Sequence, residues 1–147
     1  MKKFRIISLV FLIAFVLMQF IRPSRNQSSD QGSIKKTVSI PSAVSAILKN
    51  ACYDCHSNNT RYPWYSNIQP IGIFMAKHIR EGKQELNFDE FNTYSSKRQR
   101  NKLKRMKEQI EKDEMPLPSY TWMHSNAKLT IDQKQLINKW IDSTLHR

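Results

Sequence analysis

The sequence predicts an all-α fold: about four helices around one core, preceded by a separate apolar helix. Three observations predict it. Between Pro41 and Ile141 apolar residues recur at helical spacing in four stretches, while no stretch alternates apolar and polar residues as a half-buried strand would. A length of 147 residues fits a single domain. The only two cysteines fall in one cluster, Cys52-Tyr53-Asp54-Cys55-His56, whose spacing suits one turn of helix.

The N-terminal element is set apart by composition. Lys2, Lys3 and Arg5 form a basic start, and residues 6–21 are apolar apart from Ser8 and Gln19. This is the layout of a signal peptide or a signal anchor. No A-x-A-like cleavage site follows the run, which ends in Phe20-Ile21-Arg22-Pro23, and no lipidation cysteine follows before Cys52. Counted from Phe4, the helix would measure about 27 Å, enough for a thin or locally adapted bilayer. An uncleaved single-pass anchor over residues 1–22 is expected, with a cleaved signal peptide as the alternative. The basic start places the N-terminus in the cytoplasm, although Arg22 and Arg25 on the other flank weaken the asymmetry. Residues 23–38, rich in Ser, Gln, Asn and charge without an apolar period, read as a flexible tether, so the folded domain is expected over 39–147.

Within that domain the first helix is expected from Pro41 to Cys52, with Val44, Ile47, Leu48 and Ala51 as its buried stripe. The polar loop 57–69 carries Tyr62, Trp64 and Tyr65, aromatics suited either to wall a cofactor or simply to pack the loop. Pro70 opens a second helix with Ile71, Phe74, Met75, His78 and Ile79 on its inner face and Gly82 as its stop. Ser95 or Ser96 can cap a third, whose stripe is Leu103, Met106 and Ile110 and which ends near Glu114. Thr130 with Gln133 makes a capping box for the last, which carries Leu136, Ile137, Trp140 and Ile141.

The chemistry lies in the cysteine cluster. C-x-x-C-H is the attachment site of a c-type haem: two thiols on one side of a short turn can add across the two vinyl groups of one porphyrin, and His56 follows on the same face to ligate the iron. A thioredoxin-like pair would need a βαβ pattern that is absent, and a zinc site would need a second close pair of ligands, whereas His78 and His124 are single and distant. A plain Cys52–Cys55 disulfide in an exported domain stays as an alternative. One haem c per chain is therefore expected, in an exported compartment where covalent attachment is made. For the sixth ligand, Met115 opens the proline-rich loop Met115-Pro116-Leu117-Pro118, where restricted backbone freedom lowers the cost of holding a thioether at the iron. His124, His78 and Met123 compete with it.

The net charge is +12, and much of the excess outside the anchor lies in residues 97–107. Leu103, Met106 and Ile110 make that run the solvated face of an amphipathic helix, which excludes a nucleic-acid surface as the reading and leaves docking of an acidic redox partner or anionic headgroups.

These residues also carry a resemblance. Gln19-Phe20-Ile21-Arg22-Pro23, Cys52-Tyr53-Asp54-Cys55-His56-Ser57-Asn58, Tyr62-Pro63-Trp64-Tyr65, His78-Ile79-Arg80-Glu81-Gly82 with Leu86-Asn87-Phe88, Met115-Pro116 with Tyr120 and His124, and Trp140 together resemble the haem-binding-domain family of membrane-anchored bacterial cytochrome c-like proteins. The resemblance implies one covalent haem in a small, cytochrome c-like helical domain, held by Cys52, Cys55 and His56, with Met115 as distal ligand. It implies a single-pass protein of the bacterial cytoplasmic membrane with its haem domain in the periplasm. One-electron transfer to a redox partner is the expected function and an enzyme is not. The alternative is a haem-based sensor or ligand-binding module with an open or displaceable axial site.

Overall fold

Helices form wherever the apolar stripes call for them. The computed structural model describes residues 1–28 and 33–146, and among these the chain runs through eight α-helices with three 3-10 turns between them. They are α1 (Lys2–Met18), α2 (Ser33–Thr37), α3 (Ser42–Ala51), α4 (Tyr53–His56), α5 (Ile71–Glu85), α6 (Ser96–Glu111), α7 (Pro118–Met123) and α8 (Ile131–Leu145). No strand is present among the described residues; the one extended pairing is an isolated bridge between Gln27 and Asn59. The all-α expectation holds: α1 and the four expected helices, α3, α5, α6 and α8, are joined by three short ones, α2, α4 and α7, of which α4 is the helical turn expected at the cysteine cluster.

The core is made where α3, α6 and α8 meet. Val44 and Leu48 of α3, Leu103 and Ile110 of α6, and Ile137 and Ile141 of α8 are buried, joined by Phe88 and Phe91 from the 3-10 turn Phe88–Thr93. Each such side chain contributes about 1.5–3 kcal/mol of transfer free energy. The two predicted caps are formed. Ser95 accepts a hydrogen bond from the Arg98 backbone N–H at 3.4 Å, and Thr130 and Gln133 exchange side-chain and backbone bonds at 3.2 and 3.0 Å.

Four features differ from the sequence reading. Leu136 is 39 % exposed because α8 turns only the Ile137–Trp140–Ile141 stripe inward. Helix α5 does not stop at Gly82 but continues to Glu85. Gly82 is there for space: a Cβ on it would stand 2.9 Å from the Cys55 carbonyl oxygen and 3.3 Å from Cys55 Cβ. Ile71 and Phe74, expected on the inner face of α5, are 45 % and 56 % exposed, since the first turns of α5 have only a 3-10 turn (Trp64–Asn67) beside them.

The fourth concerns the N-terminal region. Helix α1 is 17 residues long and buries none of them. Among the described residues no helix is long and apolar enough to cross a membrane. Backbone bonds from Phe20 to Leu17 and from Ile21 to Met18 carry one further turn beyond it. The expected tether, in turn, is fastened over its described part. Asn26 donates its side-chain amide to the Ser57 carbonyl (2.8 Å) and Thr60 Oγ1 (2.9 Å), and its own oxygen accepts from Lys83 Nζ at 2.7 Å. Ile34 of α2 is fully buried against the core. A polar segment docks when the surface supplies matching donors and acceptors, and apolar periodicity does not register that. Residues 29–32 of the tether lie outside the described residues.

Candidate functional site

Cys52 ends α3 and caps α4, with φ −124° and ψ −37°, so the chain turns at the first cysteine of the motif. The Cys55 and His56 N–H groups then both donate to the Cys52 carbonyl, at 3.2 and 3.0 Å, closing one helical turn. Both cysteines are free thiols. Burial pushes the Cys52 thiol up to about 12 and the Cys55 thiol up to about 11, with smaller contributions from Cys55 on Cys52 and from Asp54 on Cys55. Both are therefore protonated at neutral pH.

His56 is oriented from behind. Its Nδ1 lies 2.9 Å from the Leu86 carbonyl oxygen, so Nδ1 carries the proton and donates it, which leaves the Nε2 lone pair free. That arrangement is the one a metal-ligating imidazole uses. Burial lowers the pKa of His56, partly offset by the backbone bonds, and keeps the ring neutral. The carbonyl is itself held in place. Asn87, next to Leu86, donates to Asn58 Oδ1 at 2.8 Å, and the Asn58 N–H donates to Asp89 Oδ2 at 2.8 Å, tying the residues after His56 to the 86–89 segment.

Two cavities adjoin the Cys52–His56 turn, of about 360 and 310 Å³. Cys52, His56, Glu85, Met115 and Pro116 line both. The first is completed by Leu86, Phe88, Met106, Ile110 and Leu129, with Lys102 and Arg105 at its edge; the second by Cys55, His78, Gly82, Leu117 and Tyr120. Each is within the size range of small-molecule sites, about 300–1,000 Å³.

The predicted ligands separate clearly on this frame. Met115 lines both cavities and His78 the second. The His78 Nε2 atom is shut off from solvent and has no hydrogen-bond partner, while its Nδ1 lies 3.8 Å from Glu81 Oε2. A buried, unpartnered ring nitrogen costs free energy unless a group meets it. His124 lines neither cavity: its ring stacks on Tyr120 at 4.3 Å between centroids and bonds the Tyr65 hydroxyl at 3.1 Å. Met123 is 48 % exposed and lines neither. Tyr62, Trp64 and Tyr65 line neither cavity: the half-buried Tyr62 and Tyr65 pack the loop and bond the Asn26 N–H and His124, while Trp64 is 74 % exposed. Among the described residues no group of three His, Cys, Asp or Glu gathers to hold a bare metal ion.

Sequence reasoning missed Asp54. Its side chain, 9 % exposed, accepts from the Tyr120 hydroxyl at 2.7 Å and from Arg61 Nε at 3.1 Å, and its backbone carbonyl accepts from Thr60 Oγ1 at 2.6 Å. It therefore joins α4 to α7, just beyond the Met115 loop. A variable position inside C-x-x-C-H gives no signal for this.

A free ring nitrogen on His56, an orphaned one on His78, a thioether at Met115 and two adjoining apolar cavities fit a flat, largely apolar macrocycle with a central iron. The sequence model of a family described as a haem-binding domain matches residues 13–143. The chain belongs to the haem-binding domain family. No curated protein and no solved structure matches it. Membership supports haem binding, and the matched region begins inside α1, so it includes the docked N-terminal segment.

Proposed function

We propose that this chain is a monohaem c-type cytochrome that passes single electrons at the outer face of the bacterial cytoplasmic membrane. The observation that carries the reading is the His56 ring, held by the Leu86 carbonyl with Nε2 free, on the same helical turn as two unpaired thiols. In this reading Cys52 and Cys55 would hold one haem by thioether bonds from their thiols to its two vinyl groups, and His56 would ligate its iron. Bound there, haem supplies a one-electron iron couple.

The chain's own residues then set how that couple behaves. Met115, which lines both cavities with His56, would supply the second protein ligand; a His/Met pair would favour reduced iron and raise the potential. Leu86 donates electron density to His56 through its carbonyl. Phe88, Met106, Ile110 and Leu129 keep water from one side of the pocket. A carrier is favoured over a catalyst because an iron held by both His56 and Met115 would leave no position for a substrate. Export is favoured because covalent haem attachment is made outside the cytoplasm, and α1 with its basic start suits a membrane anchor. The partner is then a redox protein with an acidic docking face, matched to the cationic surface of α6.

One observation favours the second reading, a haem-based sensor. His78 offers an unpartnered nitrogen in the cavity that Met115 also lines, so the distal position has two candidate occupants and could be displaceable. Absorption spectra of the purified chain with and without carbon monoxide decide between them. Insensitivity to carbon monoxide supports electron transfer, and a strong shift supports sensing.

A further inference from the structure

We propose that the haem domain lies against the membrane surface, with the Trp64–Asn67 turn and the first turn of α5 seated in the interfacial layer of a phospholipid bilayer. The inference rests on the proposed membrane anchor and goes beyond it, because an anchor on a flexible tether would leave the domain free to tumble.

The geometry starts at the end of α1. Gln19 and Gln69 form a reciprocal pair: Gln19 Nε2 donates to the Gln69 carbonyl at 3.2 Å, and the Gln69 N–H donates to Gln19 Oε1 at 2.9 Å. The Gln69 side chain, 1 % exposed, reaches on to the Ile21 carbonyl at 2.9 Å and accepts from the Ile73 N–H at 2.9 Å. Arg22 and Arg25 bind the carbonyl and side-chain oxygens of Asn67 at 2.9 and 2.8 Å. The 3-10 turn packs directly on α5 here: a Cβ on Gly72 would stand 2.3 Å from the Ser66 carbonyl oxygen. The end of the apolar helix is thus bolted to one corner of the domain.

That corner exposes a run of large apolar side chains, as α7 and α8 do singly at Trp122 and Ile131. Trp64 is 74 % exposed, Ile68 38 %, Ile71 45 % and Phe74 56 %, beside Phe20 at 78 % and Ile21 at 52 % at the end of the helix itself. An aromatic and aliphatic patch bordered by Arg22 and Arg25 has the composition of a membrane-interface surface, with tryptophan at headgroup level and cations meeting anionic phosphates. Helix α1, at 17 residues, spans about 26 Å, and the further turn to Ile21 brings it to about the 30 Å of a hydrocarbon core, so the residues that follow meet the interface. The patch also borders the haem pocket, because the Phe74 ring meets His78 edge-on at 4.3 Å. This would hold the pocket within about 12 Å of the interface, the rise of α5 from Phe74 to Gly82.

The test uses the full haem-loaded chain in vesicles of phosphatidylethanolamine and phosphatidylglycerol, with a nitroxide on Trp64→Cys or Ile71→Cys. Leu12→Cys in α1 reports the anchor, and Lys139→Cys, exposed on α8, reports bulk solvent. Oxygen and a water-soluble nickel chelate are the relaxing probes. The expected result is that labels at 64 and 71 lose most of the nickel relaxation seen at 139 and gain oxygen relaxation. If the label at 12 is in the bilayer while 64 and 71 behave like 139, the anchor stands and this proposal is overturned. If the label at 12 is equally open to nickel, the anchor reading fails and takes the proposal with it.

Discussion

Replacing Asp54 by alanine probes how the attachment motif is coupled to the loop that brings in Met115. The Asp54 carboxylate is buried to 9 % exposure and accepts from the half-buried Tyr120 hydroxyl at 2.7 Å. A hydrogen bond to a charged acceptor is worth about 1.5–3 kcal/mol. Arg61 contributes less: its side chain is 62 % exposed, and an exposed ion pair is worth about 0–1 kcal/mol. Asp54→Ala should therefore destabilise the haem-loaded chain by about 2–3 kcal/mol, most of it through Tyr120. Tyr120→Phe should cost about 1–2 kcal/mol and Arg61→Ala under about 1 kcal/mol. Guanidinium unfolding followed by circular dichroism, run as a double-mutant cycle, separates the terms. The coupling between Asp54 and Tyr120 should be at least about 1 kcal/mol. Additive single effects, or a Tyr120→Phe cost near zero, would show that Asp54 does not hold α7 to α4 and would refute the reasoning.

The remaining predictions bear on the pocket and its ligands. Met115→Ala should leave the haem attached but remove the methionine-to-iron charge-transfer band; an unchanged near-infrared spectrum would mean that another residue is the distal ligand. Gly82→Ala forces a Cβ to 2.9 Å from the Cys55 carbonyl, so it should cost about 1–3 kcal/mol and lower the yield of haem-loaded chain. Wild-type thermal stability with Gly82→Ala would mean that α4 and α5 separate easily. The two thiols give a pH test. Their pKa values rise from 9.0 to about 12 and about 11 on folding, so the unfolded chain loses these protons first. Stability of the haem-free chain should thus be complete below pH 9 and fall as pH rises beyond it, whereas thioethers do not titrate and the haem-loaded chain should lack this loss. Equal alkaline slopes for the two forms would contradict it.

The core was legible because its helices obey a simple period. Val44 and Leu48, the Leu103–Met106–Ile110 stripe and Ile137–Trp140–Ile141 all fall where the spacing puts them, and Thr130 with Gln133 announces its helix by side-chain chemistry. The proline-rich loop singled out Met115 in the sequence, and Met115 lines both cavities. Polar docking was not legible. Gln19, Asn26 and Gln69 look like loop residues until the surfaces that satisfy them are known, so the segment after α1 read as a free tether. Gly82 read as a helix stop because glycine signals a C-terminus more often than a close crossing, and only the approach of Cys55 tells the two apart. The Leu86 carbonyl behind His56 is a backbone group, which side-chain patterns do not reveal.

The most direct test of the central claim is to produce the chain with haem-maturation machinery, run it on a denaturing gel stained for haem, and record oxidised and reduced spectra with and without carbon monoxide. Haem that stays with the chain through denaturation, with a low-spin spectrum that carbon monoxide leaves unmoved, is the predicted result. Haem lost on denaturation would contradict attachment through Cys52 and Cys55, and a reduced spectrum that shifts strongly with carbon monoxide would contradict a closed, electron-carrying site.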